Sequence, residues 1–183
     1  MDSLHNFCPV PMGALRGHPE IWTMASREES DRESAIRHTM NTIRFAAEIG
    51  AKAVVVHAGY VDMPMISPQL FDLLAANQQF TPGYERLRMK LHTQRDKKAP
   101  RQFDHLLRGI ERLLPLLEET GVVLALENLP TWEAYPTEIE FEEIKRRFPP
   151  PLSAIGTIWG TAKSAKTSDL SITNAGSNVC SPT

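Results

Sequence analysis

Three side chains able to bind a metal ion stand at the ends of short apolar segments. His5 follows Ser-Leu, His57 follows Ala-Val-Val-Val, and Glu127 follows Val-Val-Leu-Ala-Leu. Short runs rich in Val and Leu, without polar alternation, predict strands that are buried on both faces, as in parallel sheets. Ligands of α/β proteins bind at the carboxyl edge of the sheet, so two imidazoles and one carboxylate are expected to share one rim. This donor set suits a divalent metal ion.

Length and composition limit the class of protein. The 183 residues suit one domain with a sizeable core. The 20 Lys and Arg residues against 22 Asp and Glu residues give a net charge of −2, so neither nucleic acid nor a membrane surface is an expected partner. No secretion signal or membrane-spanning run is recognised. Cys8 and Cys180 do not form the pattern of a disulfide framework, which favours a reducing, cytoplasmic location.

Helices are predicted between the strands from apolar spacing and from end signals. Ser30 and Glu33 have the spacing of a capping box, and Ser67 and Pro68 suit an N-cap and a first helical residue. The predicted helices span about residues 31–49, 67–75, 84–98, 101–120 and 136–148. The first is expected to bury Ile36, Met40, Ile43 and Ala47. The fourth is expected to bury Leu106, Leu107, Ile110, Leu113, Leu114 and Leu117, with a kink near Pro115.

The segment from Tyr84 to Lys98 is strongly basic. Its basic residues are Arg86, Arg88, Lys90, Arg95, Lys97 and Lys98. A solvated helix face is favoured over a phosphate or nucleic-acid patch, because no aromatic residues interleave with the charges. The histidines outside the three strand ends, at positions 18, 38, 92 and 105, lack supporting context and are interpreted as surface or helix residues.

The ordered motifs resemble a known superfamily. His5-Asn-Phe-Cys-Pro, Val-Val-His57-Ala-Gly and Ala-Leu-Glu127-Asn-Leu-Pro, separated by helices of these lengths, resemble the xylose isomerase-like TIM barrels. This superfamily includes sugar-phosphate isomerases and epimerases and apurinic-site nucleases of the endonuclease IV type. The resemblance covers Ser3 to about Phe148. It implies an α/β fold, a partial (β/α)8 barrel of about three β/α units with parallel strands, matching the third to fifth strands of the family.

The resemblance also implies roles for individual residues. The residue matching Glu127 is a metal ligand in both branches. The residue matching His57 is a zinc ligand in the nucleases and lines the substrate pocket in the isomerases, and His5 corresponds in the same way. Metal-binding and catalytic roles are therefore expected for Glu127 and His57, and a substrate-binding role for His5. Asn128 is expected to bond in its loop or to substrate. Trp132, with Tyr135, either walls a sugar pocket or covers the barrel rim.

Two departures from the family pattern stand out. A full barrel needs roughly 250 residues, and the segments matching its first two β/α units are missing. Residues 153–183 are small and polar without helix or strand period, so a barrel domain over residues 1–152 is expected to be followed by an irregular tail. The family's Asp-x-Gly-His motif is missing as well. A frameshift near Pro149-Pro150-Pro151 is our hypothesis for this loss, because a shifted reading that starts in the codon of Ala154 and ends in that of Thr161 permits Tyr-Trp-Tyr-Asp-Met-Gly-His.

The resemblance implies a metal-dependent sugar or sugar-phosphate isomerase or epimerase. A bound Mn, Mg, Co or Zn ion would polarise a carbonyl and its neighbouring hydroxyl, while a rim carboxylate moves a proton between adjacent carbons. The substrate would be a small sugar or sugar phosphate. An endonuclease IV-like phosphodiesterase is the alternative enzyme. A non-catalytic fragment or interaction module, self-associating through exposed sheet edges, is the alternative for this chain, and catalytic incompetence is favoured over activity.

Overall fold

The computed structural model describes residues 2–12 and 17–148 and the backbone of residues 155–159. The strands are β1 (Ser3–His5), β2 (Ala53–Val56), β3 (Val123–Asn128) and β4 (Ile155–Trp159). The helices are α1 (Glu29–Glu48), α2 (Ser67–Ala75), α3 (Pro82–Thr120) and α4 (Glu138–Arg147).

The four strands form one parallel sheet in the order β1-β2-β3-β4. Each strand lies beside the next one in the chain and is joined to it through helix, without the reversal of strand order that defines a doubly wound sheet. Consecutive parallel strands of this kind are the units of a (β/α)8 barrel. The prediction of a partial barrel with about three β/α units is confirmed.

The register of the strands places the three strand-end residues on one face of the sheet. His5 pairs with Val55, and Val55 pairs with Ala125. Side chains alternate along a strand, so His57, two residues after Val55, and Glu127, two residues after Ala125, lie on this same face. Extending the pairing of β2 with β3 by one residue puts His57 level with Glu127. Strand register therefore accounts for the convergence of these side chains.

The opposite face of the sheet forms the main core with α1 and α3. Its strand residues are Leu4, Val54, Val56, Leu124 and Leu126, which are all buried. The predicted leucine face of α3 is confirmed, with Leu106, Ile110 and Leu113 fully buried. In α1, Ile36 and Ile43 are buried as predicted. The prediction is wrong for Ala47, which is exposed, and the neighbouring Ala46 is buried instead.

The prediction of two separate helices over residues 84–98 and 101–120 is wrong, because both belong to α3. It runs through Pro100 and Pro115 as one helix of 39 residues. An internal proline costs a helix roughly 3 kcal/mol, but tertiary bonds hold the chain on both sides of Pro100. Arg95 donates to the carbonyl of Ala134, and Gln102 donates to the carbonyl of Ala25. Distant loops therefore stabilise a continuity that local propensity does not favour.

The starts of two helices also differ from the prediction. Helix α1 begins at Glu29, so Ser30 and Glu33 do not form a capping box, and the Glu33 carboxylate binds Arg112 instead. Ser67 is the first residue of α2 rather than its N-cap. The free amides of Ile66 and Ser67 donate to the buried carboxylate of Glu133, at 2.7 and 2.9 Å. A residue from the loop after β3 thus caps α2.

Strand β4 lies where the sequence suggested irregular chain. Residues Ile155–Trp159 pair in parallel with Leu124–Asn128 of β3, because the far edge of β3 offers unpaired backbone groups to whatever segment follows α4. The remainder of the tail falls outside the described residues, and the domain boundary and the frameshift stay hypotheses. In the described part of the chain, no helix is long and apolar enough to cross a membrane. The cytoplasmic location stays a prediction.

Candidate functional site

Three metal-binding side chains converge at the carboxyl edge of the sheet. These side chains, His5, His57 and Glu127, form the candidate metal-binding cluster, and their ligand atoms all lie within 4.8 Å of one another. Nε2 of His57 is 3.1 Å from Oε2 of Glu127, and Nε2 of His5 is 3.4 Å from the same oxygen. The two imidazole rings meet edge to face with their centroids 5.0 Å apart. The structure therefore brings together the three groups that the sequence placed at strand ends.

The hydrogen bonds of the two rings fix which nitrogen faces Glu127. Nδ1 of His57 lies 2.8 Å from Oε1 of Glu20, and Nδ1 of His5 lies 3.0 Å from the carbonyl oxygen of Asn6. A carboxylate and a carbonyl can only accept, so each Nδ1 can donate to its partner, and each Nε2 faces a second acceptor, the Glu127 carboxylate. When the proton of a neutral ring is on Nδ1, Nε2 holds a lone pair. In that tautomer both lone pairs are directed at Glu127.

This arrangement fits a metal ion. When both rings carry their protons on Nδ1, two bare Nε2 atoms face the carboxylate oxygen and repel it, and a metal cation between them would remove the repulsion. With zinc bonds of 2.0–2.2 Å, neighbouring ligand atoms of a tetrahedral site stand about 3.3 Å apart, and the two separations from Glu127 Oε2, 3.1 and 3.4 Å, bracket that value. His57 and Glu127 are mostly shielded from solvent, while His5 is 41% exposed and opens the site on one side.

Glu20 is a site residue that sequence reasoning missed. It lies in the loop between β1 and α1, and its Oε1 accepts from both His57 Nδ1 and the Tyr60 hydroxyl, the latter at 2.9 Å. Burial raises the pKa of Tyr60 to about 12, and the hydrogen bond to Glu20 adds to the shift, so this hydroxyl stays a donor at neutral pH. No strand end or periodicity marks Glu20, because the loop that carries it has no regular pattern.

The buried side-chain amide of Gln102 joins the loop that carries Glu20 to the loop that carries Tyr60. Gln102 of α3 is 4% exposed and donates to the carbonyls of Ala25 and Tyr60, while its Oε1 accepts from the amide of Asp62. Glu20, Tyr60 and Gln102 also line an open cleft of about 640 Å³. Glu20 is the residue that this cleft shares with the surroundings of His57.

Gly59 allows the same two loops to approach each other. Its φ is +111°, and a Cβ at this position would lie 2.6 Å from Oγ1 of Thr23. Only glycine combines that backbone conformation with that contact without strain. Gly59 follows His57 by two residues, and Thr23 follows Glu20 by three, so this close packing holds Glu20 near the ring it binds.

The residues predicted to bind substrate occupy different environments. Asn128 is the last residue of β3 and is half-buried. Alternation along the strand directs it away from the face of Glu127, which favours the loop interpretation. Trp132 is 39% exposed and packs against Phe71 with ring centroids 5.1 Å apart. Tyr135 is fully buried and donates to the carbonyl of Ala99, so its interpretation as a pocket wall is wrong.

The basic segment is a solvated helix face with one exception. Arg86, Arg88, Lys90, Lys97 and Lys98 are exposed, as predicted. Arg95 is 9% exposed, binds Glu140 at 2.7 Å and stacks on the ring of Tyr135. The prediction of a solvated side chain is therefore wrong for Arg95, which ties α3 to the loop before α4 and to α4 itself.

The remaining histidines stand apart from the metal-binding cluster. His18 and His92 are exposed, and His105 is half-buried on α3. His38 stacks on Trp22 with a centroid distance of 4.8 Å. Burial, aided by the nearby charge of Arg37, lowers the pKa of His38 and keeps its ring neutral at physiological pH. These positions agree with their interpretation as surface or helix residues.

Several solved structures are similar to part of this chain. They include 3-keto-D-glucoside 4-epimerase from E. coli, 16% identical over 75% of this chain and 44% of that chain, with a TM-score of 0.49. Mannonate dehydratase from Streptococcus suis is 19% identical over 72% of this chain and 41% of that chain, with a TM-score of 0.42. A xylose isomerase domain protein from Planctomyces limnophilus is 16% identical over 75% and 34%, with a TM-score of 0.42.

This chain spans less than half the length of each of these three structures. No curated protein is significantly similar to it in sequence. The model of one protein family, described as the xylose isomerase-like TIM barrel, matches residues 4–152. The matched range contains β2, β3 and all of β1 except Ser3, together with His5, His57 and Glu127. The chain belongs to the xylose isomerase-like TIM-barrel family.

Proposed function

We propose that this chain carries a divalent-metal site that serves sugar or sugar-phosphate isomerisation or epimerisation. The observation that supports it best is the convergence of the Nε2 atoms of His5 and His57 on one carboxylate oxygen of Glu127. When both rings carry their protons on Nδ1, these three ligand atoms repel one another, and a divalent cation between them would remove the repulsion. The reaction class of this proposal rests on membership of the xylose isomerase-like family. Its location rests on the three side chains.

The donor set favours particular metals. Imidazole nitrogen suits zinc and other late first-row ions, whereas magnesium prefers carboxylate oxygen and water. Two histidines with one glutamate form one of the zinc donor sets of catalytic sites, which leave a fourth position open. We therefore expect zinc or cobalt to bind more tightly than manganese, and manganese more tightly than magnesium.

The side chains of this chain hold and orient the reactants. When bound, the metal would supply Lewis-acid polarisation of a carbonyl and its adjacent hydroxyl. Glu127 and the imidazoles of His5 and His57 provide the ligand atoms. The exposed edge of His5 leaves room for a sugar beside them, and the exposed face of Trp132 offers a surface on which a sugar ring can stack. A carboxylate at this rim would move the proton between neighbouring carbons of the sugar.

Metal binding is tested first, by competition with a chromophoric chelator and by isothermal titration calorimetry. Wild-type protein is expected to bind one zinc ion, and Glu127→Gln to lose at least about a hundredfold in affinity, as removal of a ligand should exceed second-shell effects of 10–100-fold. Glu119→Gln, an exposed carboxylate near the end of α3, is the matched control and should bind as wild type does. Equal affinity in wild type and Glu127→Gln would contradict the site.

Sugar chemistry is tested by proton exchange. The metal-loaded chain is incubated with a panel of aldoses, ketoses and their phosphates in D2O, and deuterium incorporation next to the carbonyl is followed by NMR. Exchange in wild type that disappears in Glu127→Gln would support the isomerase proposal. Tight zinc binding without exchange for any sugar of the panel would contradict catalysis by this chain while leaving the metal site intact.

One observation favours a second candidate, metal-dependent phosphodiester hydrolysis. His5 joins His57 and Glu127 in the cluster, so the two imidazoles that correspond to nuclease positions lie together, although the nuclease branch needs more histidine ligands than these two. A zinc ion with an open position activates water near neutral pH. Zinc-loaded protein should then nick an oligonucleotide that contains an apurinic site, and Glu127→Gln should not. Deuterium exchange without nicking would decide for the isomerase.

A further inference from the structure

We propose that Glu20 is the positioning residue that selects the metal-binding tautomer of His57. The inference rests on the proposed metal site, which it deepens. Glu20 reaches His57 across 37 residues of sequence and accepts from its Nδ1 at 2.8 Å. Both side chains are shielded, with 12% of His57 and 25% of Glu20 exposed. His57 lies between two shielded carboxylates, and its Nδ1 contact with Glu20 is shorter than the 3.1 Å contact of its Nε2 with Glu127. The shorter hydrogen bond favours the proton on Nδ1.

Glu20 is needed to select this tautomer because a histidine ring in water prefers the other one. Neutral histidine in water favours the tautomer with its proton on Nε2, and this proton would block the nitrogen that faces Glu127. By accepting from Nδ1, Glu20 moves the proton away from Glu127 and leaves the Nε2 lone pair available. His5 reaches the same state through the backbone carbonyl of Asn6, which no side-chain substitution removes. Glu20 therefore acts on one of the two rings only.

Neighbouring contacts hold the Glu20 carboxylate in place. The Tyr60 hydroxyl donates to the same oxygen, Oε1, at 2.9 Å. The backbone amide of Glu20 donates to Nδ1 of His18 at 3.1 Å, and further along the loop the amide of Ala25 donates to the carbonyl of Ala58. The ring of His57 is thus oriented by a carboxylate that is itself anchored, as in the carboxylate–histidine pairs that support metal ligands.

The experiment compares Glu20→Ala, Glu20→Gln and Tyr60→Phe with wild type. Glu28→Gln is the control, because Glu28 is an exposed carboxylate of the same loop. Ring tautomers are identified in the metal-free protein by long-range ¹H–¹⁵N correlation at pH 8, and zinc affinity is measured by chelator competition. Circular dichroism verifies that each variant is folded.

We expect His57 of the wild type to carry its proton on Nδ1. In Glu20→Ala the proton moves to Nε2 while His5 keeps its tautomer, and zinc affinity falls about 10–100-fold. Glu20→Gln, whose amide oxygen can still accept from Nδ1, keeps the tautomer and loses less affinity than Glu20→Ala. Tyr60→Phe also keeps the tautomer, with a smaller loss. Glu28→Gln behaves as wild type does.

Failure of this inference differs from failure of the proposed metal site. An unchanged His57 tautomer and unchanged zinc affinity in folded Glu20→Ala would overturn the role of Glu20, whatever the activity of the protein. A tautomer that depends on Glu20 in a wild type that binds no zinc would support the coupling of Glu20 to His57 and overturn the metal site. A tautomer change in Glu28→Gln as well would overturn the specific role of Glu20.

Discussion

His57 and Glu127 face each other across β2 and β3 with their ligand atoms 3.1 Å apart. If the proton of His57 is on Nδ1 and donates to Glu20, both of these facing atoms are acceptors. His5 then adds a further lone pair from its own Nε2, at 3.4 Å. We expect the metal-free site to be destabilised locally in this tautomer, and a cation to relieve the repulsion.

The first prediction follows from this repulsion. Replacing Glu127 by Gln supplies an amide N–H that can donate to one Nε2, so metal-free Glu127→Gln should be more stable than metal-free wild type at pH 8. The gain should be about 0.5–1.5 kcal/mol, the net contribution of one hydrogen bond. Urea unfolding monitored by circular dichroism, with a chelator present, measures the difference.

Added zinc should reverse this order. At a hundred times its dissociation constant, a ligand that binds only the folded state stabilises it by about 2.7 kcal/mol. Wild type should gain this amount, and Glu127→Gln should gain almost nothing. The explanation would be wrong if metal-free Glu127→Gln were clearly less stable than wild type, because the carboxylate would then already be compensated by a proton on one of the rings.

The second prediction concerns the dependence of stability on pH through Glu133. This carboxylate is fully buried. Burial pushes its pKa upward, but hydrogen bonds from the Ser67 hydroxyl and from the amides of Ile66 and Ser67 outweigh burial, and the pKa lies below its ordinary value. The unfolded state therefore binds more protons than the folded state in acid, and the free energy of unfolding decreases as the pH falls.

Glu133→Gln should show how much of the acid sensitivity belongs to this residue. Its amide oxygen could still accept from the amides of Ile66 and Ser67, but its NH2 would replace the oxygen that accepts from the Ser67 hydroxyl, and the charge that strengthens these bonds would be lost, which should cost about 1–3 kcal/mol at pH 7. Glu133 contributes fully above the ordinary carboxyl range and loses its contribution below it, so the gap to wild type should narrow towards pH 3. Thermal unfolding between pH 3 and pH 7 measures this, and a gap independent of pH would contradict the assignment. Glu119→Gln is the exposed control.

The third prediction separates backbone conformation from packing at Gly59. Gly50 and Gly59 both have positive φ, +72° and +111°, but a Cβ on Gly50 meets nothing within 4 Å, whereas a Cβ on Gly59 meets Thr23. Gly50→Ala should cost about 1–2 kcal/mol. Gly59→Ala should cost about 2–4 kcal/mol. It should also weaken zinc binding, because Thr23 shares its loop with Glu20.

Urea unfolding and zinc competition on both glycine variants measure these differences. Equal destabilisation by the two substitutions would show that Thr23 can move away from an added Cβ without lowering the free energy of unfolding. Normal zinc affinity in Gly59→Ala would show that the loop of Glu20 is not positioned through this contact.

The sequence predicts the convergence of three side chains, because each ends a local pattern. His5, His57 and Glu127 end apolar runs of adjacent parallel strands, and parallel strands present their carboxyl ends at the same edge. The same logic predicts the αL residue after α1, which the structure shows at Gly50. A local pattern coupled to a topological rule was enough for these positions.

The supporting residues lack such a pattern. Glu20 meets His57 over 37 residues, Gln102 meets Ala25 over 77, and Glu133 meets Ser67 over 66. Each comes from a loop or a helix face whose local sequence does not indicate burial. The break predicted near Pro100 was wrong for the same reason, since contacts from distant loops decide whether the helix continues.

The last prediction tests one of these distant contacts, the buried pair of Arg95 and Glu140. Arg95→Met removes the charge and the donor to Ala134, and leaves the partly buried Glu140 carboxylate, 17% exposed, without its partner. Removing one member of a buried pair costs about 3–5 kcal/mol, and the lower end is expected here because Glu140 keeps its bond from the amide of Thr137. Arg86→Met, on the exposed face of α3, should change stability by less than about 0.5 kcal/mol.

A double-mutant cycle separates the ion pair from packing. Glu140→Gln preserves the capping box at the start of α4, because glutamine serves there as well as glutamate, and it removes only the negative charge. If Arg95 stabilises the fold mainly by neutralising Glu140, Arg95→Met combined with Glu140→Gln should cost clearly less than the sum of the two single substitutions. Strict additivity in urea unfolding would show instead that Arg95 acts through its carbonyl bond to Ala134 and its stacking on Tyr135.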